Sequence, residues 1–98
     1  MQQFPVRVDL LKNVAATGSG IFIPGGKWQF QCTATFSGAT IKVQVLGPDN
    51  TTYIDTGVTF SAGGISTPTN GIPDGVYKGV VTAGPPSAVY LSAFWISE

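Results

Sequence analysis

Apolar and polar residues alternate along much of this chain with a period of two. Trp28, Phe30, Cys32, Ala34 and Phe36 are interleaved with Gln29, Gln31, Thr33 and Thr35. A strand sends successive side chains to opposite faces, so this run predicts a strand with one buried and one solvated face. Ile41, Val43 and Val45 alternate with Lys42 and Gln44 in the same way. Phe4, Val6, Val8 and Leu10 alternate with Arg7 and Asp9, and Pro5 suits an edge strand there.

Turn chemistry separates the runs. Ser37-Gly38 lies between the Trp28 and Ile41 strands and predicts a tight hairpin joining them. Gly47-Pro48-Asp49-Asn50 has proline where a type I turn wants it, then Asp and Asn. It should return the chain into a strand from Tyr53 to Val58. Ala62-Gly63-Gly64 predicts a further turn before a short strand near Ile65 to Thr67. Asn70-Gly71 and Asp74-Gly75 mark a loop ahead of a strand from Val76 to Thr82. Gly84-Pro85-Pro86 breaks the chain before a last strand from Val89 to Ile96.

That last strand has a different pattern. Val89, Tyr90 and Leu91 are consecutive apolar or aromatic residues, and so are Phe94, Trp95 and Ile96. A strand apolar on both faces is either an inner strand between layers or one buried against another chain. Tyr90, Phe94, Trp95 and Ile96 are therefore the candidate oligomer interface. No stretch offers an amphipathic helix, and 13 glycines and seven prolines shorten any candidate. The fold expected over residues 1–98 is one all-β domain, an antiparallel β-sandwich of about seven or eight strands, jelly-roll or immunoglobulin-like in order.

Composition changes the picture in one direction. Charged residues make up 10% of the chain, five basic and five acidic, against about 25% in an average soluble domain. So little charge repulsion favours association. A domain of this size usually gains support from disulfides, metal or a partner. A single cysteine forms no intrachain disulfide, and a chain without histidine offers no cluster at metal-ligand spacing. Association with itself or with another protein is the support left. Arg7, Lys12, Lys27, Lys42 and Lys78 are scattered, which argues against a nucleic-acid partner. No apolar run approaches the roughly 18 residues of a membrane span. Met1-Gln2-Gln3-Phe4-Pro5 lacks the features of a signal peptide, so synthesis and folding in the cytoplasm are expected.

Candidate chemistry is sparse. Without histidine, serine and cysteine nucleophiles lose their usual base. Cys32 falls in phase with Phe30 and Ala34, which predicts an inert core thiol. Of the carboxylates, Asp49 and Asp74 are explained by turns and Glu98 ends the chain, so only Asp9 and Asp55 remain as an acid–base pair. The glycine pairs Gly25-Gly26 and Gly63-Gly64 do not form a phosphate loop, and the Asp49-Asn50 turn is too sparse for calcium. No enzyme activity and no cofactor or metal is expected. Trp28, Tyr53, Tyr77, Tyr90 and Trp95 are candidates for a sugar-binding platform, although the parity of Trp28 with Phe30 favours the core.

Two stretches carry a resemblance. Phe36-Ser37-Gly38-Ala39-Thr40 with Val43 to Asp55, and Asp74-Gly75-Val76-Tyr77 with Val80 to Tyr90, resemble small virion proteins of tailed bacteriophages. The likeness extends over about two-thirds of the chain and is similar in kind to capsid decoration (cement) proteins. It implies a homotrimer on the outer head, made in the host bacterium, that bridges subunits of the major capsid protein. Repeated weak contacts on one shell would then add avidity. The first thirty or so residues fall outside the likeness, and Gln2, Gln3, Phe4 and Pro5 are the candidate capsid contact. The alternative is a tail or fibre accessory module that binds host glycans or another virion protein.

Overall fold

The computed structural model describes residues 7–97. Eight strands form in chain order: β1 (Arg7–Val14), β2 (Ile21–Ile23), β3 (Lys27–Thr35), β4 (Thr40–Leu46), β5 (Tyr53–Phe60), β6 (Gly64–Ser66), β7 (Gly75–Thr82) and β8 (Ser87–Ser97). Among the described residues there is no helix, and so none long and apolar enough to cross a membrane. The strands make two four-stranded antiparallel sheets, ordered β1-β8-β3-β6 and β2-β7-β4-β5.

This order resolves the choice left open by the sequence. β1 pairs with β8, β2 with β7, β3 with β6 and β4 with β5. That is one long antiparallel ribbon rolled so that β3 meets β8 and β4 meets β7, which is the jelly-roll arrangement. Trp28, Phe30 and Cys32 of β3 and Val89, Leu91 and Ala93 of β8 form one inner face, and Ile41, Val43 and Tyr77 the other. All nine are buried between the sheets.

The hairpin expected at Ser37-Gly38 does not form. A turn is present, closed by Ala39 N donating to Phe36 O at 2.8 Å, but it carries the chain from one sheet to the other. The reason lies in the core. A β3–β4 hairpin would put the Trp28 and Ile41 faces on one sheet; placed in separate sheets they cover each other. The turn at Gly47 does close a hairpin. Asn50 N donates to Gly47 O at 3.0 Å, and Asp49 Oδ1 accepts from Thr51 N and Thr52 N at 2.9 Å.

Two strands depart from the sequence reading. β1 runs on to Val14 because a bulge between Asp9 and Leu11 buries both Leu10 and Leu11. β2 has no counterpart in the sequence pattern, because its three residues are too few for a period to register.

Every sheet edge is short or interrupted. β2 and β6 have three residues each. β1 has register shifts at Asp9/Leu11 and Lys12/Val14. In β5, Thr56, Gly57 and Val58 oppose Val43 alone, and the Thr56 hydroxyl donates to Val43 O at 2.8 Å. Such edges resist addition of a further strand.

Candidate functional site

The outer face of the β1-β8-β3 sheet carries an ordered array of side chains. Three cross-strand rows run over it: Arg7–Phe94–Gln29, Asp9–Ser92–Gln31 and Lys12–Tyr90–Thr33. Polar or charged groups on β1 and β3 thus flank Tyr90, Ser92 and Phe94 on β8. A shallow, open depression of about 240 Å³ lies here, lined by Arg7, Gln31, Thr33, Tyr90, Ser92 and Phe94.

Hydrogen bonds fix its floor. Asp9 Oδ1 accepts from Arg7 Nε at 2.7 Å and from Ser92 Oγ at 2.5 Å. Those bonds, Ser92 first and Arg7 second, hold the Asp9 carboxyl below the usual carboxylate range. Gln31 Nε2 donates to Gln29 Oε1 at 2.8 Å. The Arg7 guanidinium lies 5.4 Å from the centroid of the Phe94 ring, forming one wall. Tyr90, 38% exposed, forms the other.

The expected interface residues on β8 do not share one face. Tyr90 and Phe94 point outward into the depression. Trp95 pairs with the fully buried Trp28 and packs half-buried against the core, so it faces inward. Ile96 is the extra residue where the register shifts between Lys27 and Trp28, and it is 49% exposed. The physical reason is parity: β8 is an inner strand flanked by β1 and β3, with odd residues to the core. The candidate capsid contact Gln2, Gln3, Phe4 and Pro5 lies outside the described residues.

The five-aromatic platform does not assemble. Trp28 and Tyr77 are core residues, their polar atoms satisfied by Pro24 O at 2.8 Å and Pro73 O at 2.7 Å. Burial first, and the Asp74 charge second, push the Tyr77 phenol up to about 12. Tyr53 sits on the outer face of the other sheet, with Lys78 Nζ 4.0 Å from its ring centroid. Tyr90 alone of the five opens onto the depression.

Nor do Asp9 and Asp55 meet. Asp55 lies on the outer face of the β4–β5 sheet, accepting from Gln44 Nε2 at 2.7 Å with Lys42 Nζ at 3.9 Å. The whole sandwich stands between the two carboxylates. Asp49 is held down at about 2 by the Thr52 and Thr51 N–H groups of its turn, and Asp74 Oδ1 accepts from Gly25 N. Among the described residues no group of three or more Cys, Asp or Glu side chains is placed to hold a metal ion.

Cys32 is fully buried, and burial pushes its thiol up to about 11. Its proton is retained until well into alkaline pH. An aromatic disulfide reagent at pH 8 should therefore leave the native protein unmodified and label one thiol once denaturant is added. Rapid labelling without denaturant would contradict this burial.

Sequence reading gave Tyr90 and Phe94 but missed Arg7, Gln31, Thr33 and Ser92 as a site. The signal available was the polar half of the β3 alternation, which reads as an ordinary solvated face until β1 and β8 are aligned beside it. No family model, curated protein or solved structure matches the chain.

Proposed function

We propose that this chain is a non-enzymatic virion structural protein, a decoration protein that binds the outer head of a tailed bacteriophage as a homotrimer. The observation that carries the reading is where the exposed apolar side chains lie. Phe22, 57% exposed, stands on the outer face of the β2-β7 sheet, whereas Ile65, 63% exposed, stands on the outer face of the opposite sheet beside Gln31. Ile54 and Ile96 add exposed apolar surface at strand ends. Singly placed apolar side chains occur on any protein surface; here they lie on both outer faces of a chain with only 10% charged residues, which leaves each face suited to a partner.

The interrupted edges resist strand addition, and the low charge supports close packing between copies. The partner in this reading, the major capsid protein of the outer shell, is taken from the resemblance of Phe36–Thr40, Val43–Asp55, Asp74–Tyr77 and Val80–Tyr90 to phage virion proteins. Synthesis in the host cytoplasm would precede binding. Of the β8 quartet, Ile96 is retained as a contact in this reading, and Trp95 is assigned to the core.

The test joins solution mass to shell binding. Light scattering should give about three times the 10.2 kDa chain mass. The protein should co-sediment with assembled tailed-phage heads stripped of accessory proteins, and not with free capsid subunits. Phe22→Asp, which alters an exposed position, should keep the fold and weaken head binding by about tenfold or more. A monomer that also fails to co-sediment would overturn the reading.

A further inference from the structure

The depression on the β1-β8-β3 face has a feature that shell binding does not require: open hydrogen-bonding atoms beside an exposed aromatic ring, all mounted on strands. We propose that it is a binding site for a neutral oligosaccharide lying along β8. This inference does not rest on the shell-binding reading, and the two are measured in separate assays.

The chemistry follows from the array. A sugar ring presents C–H groups on its faces and hydroxyls around its rim, so it is bound by an aromatic ring below and planar polar groups beside it. Tyr90 supplies the ring, exposed at one end of the depression. Arg7 lines the depression with its Nε held by Asp9 Oδ1, which leaves its terminal N–H groups to donate to a sugar hydroxyl. On the other side Gln31, anchored through Nε2 on Gln29, keeps its carbonyl oxygen open, and Thr33 adds a hydroxyl.

Length and charge narrow the class. Tyr90 and Phe94 are four residues apart on one strand face, about 13 Å at the usual strand rise, which accommodates more than one sugar ring. Arg7 is ion-paired with Asp9 at 2.7 Å, and Lys12, opposite Tyr90 in the third row, does not line the depression, so the charge of the lined surface itself is balanced. Placement on three paired strands, not loops, means little ordering is needed on binding. A shallow open site of this kind binds a single oligosaccharide weakly, in the millimolar range, and repetition on an assembly would multiply the effect.

The experiment is an amide-shift titration of the isotope-labelled full chain with maltotriose, with triacetylchitotriose and with trigalacturonate. At least one of the two neutral trisaccharides should shift the Gln31, Thr33, Tyr90 and Ser92 amides saturably. Tyr90→Ala should weaken that binding by about tenfold, Gln31→Ala should weaken it less, and Thr59→Ala on the opposite face should leave it unchanged. Absence of saturable shifts at these amides with both neutral sugars would overturn the site. Unchanged affinity in a folded Tyr90→Ala would do the same, and tighter binding of trigalacturonate would overturn the neutral class.

Discussion

Replacing Trp28 by alanine should lower the unfolding free energy by about 3–5 kcal/mol, the range for deleting a large buried aromatic. Trp28 is the largest fully buried side chain, at 0% exposure, and it stands opposite Trp95 at one end of the inner face. Its indole N–H donates to Pro24 O at 2.8 Å and so ties the β2–β3 connection to the core strand. The alanine variant loses both the packing and the tie. Domains of this size hold only about 5–15 kcal/mol in total, so the variant should be largely unfolded at elevated temperature. Urea titration followed by far-ultraviolet circular dichroism measures the change. Trp28→Phe separates the two contributions: it keeps most of the volume, loses the N–H, and should cost about 1–3 kcal/mol. Equal losses in the two variants would mean that the hydrogen bond, not packing, dominates.

The second large effect is expected from adding one carbon. Gly79 lies on β7 with its backbone in ordinary strand geometry and is buried where the two sheets approach. A Cβ there would stand 2.7 Å from Leu11 Cγ and 2.8 Å from both Leu11 Cδ1 and Leu91 Cδ2. Leu11 is 3% exposed and Leu91 is fully buried, so neither has free space to enter. Gly79→Ala should therefore destabilise by about 1–3 kcal/mol through overpacking, although alanine outside the core would ordinarily be harmless. The double variant Gly79→Ala/Leu11→Ala tests the cause. If the clash is with Leu11, the double variant should be more stable than the sum of the single changes predicts, as residues sharing one contact are not additive. Strict additivity would place the strain elsewhere.

Gly79 also illustrates a limit of sequence reading. In the run Val76 to Thr82 it is one more glycine in a strand, and the reason for it is a leucine that a bulge in β1 has turned inward. Neither the bulge nor the opposing position is encoded near residue 79. The β8 residues make the same point in reverse. Consecutive apolar residues predict that both faces of the strand are covered, whereas only its inner face is, and Tyr90 is 38% exposed on the outer one. The register with β1 and β3 assigns Val89, Leu91, Ala93 and Trp95 to the core and Tyr90 and Phe94 to an outer array. The site is legible only in part for that reason. Its aromatic half stands out along one strand, whereas its polar half is drawn from two others, and Asp9 is eighty-three positions from Ser92.

What the chain determined by itself was everything written at short range. Period-two alternation placed β3, β4 and the inner residues Trp28, Phe30 and Cys32, because neighbouring side chains on a strand must point to opposite faces. Gly47-Pro48-Asp49-Asn50 determined its own hairpin, since the Asp49 side chain and backbone close the turn without help from elsewhere. What only the tertiary structure decided was which strands lie side by side. Ser37-Gly38 makes a turn in either case, and whether that turn joins neighbours in one sheet or crosses to the other depends on covering two apolar faces at once. Burial is collective and non-directional, so the jelly-roll order, the inward turn of Leu11 and Trp95, and the grouping of Arg7, Asp9, Gln31 and Tyr90 on one face emerge only when the two sheets close over their shared core.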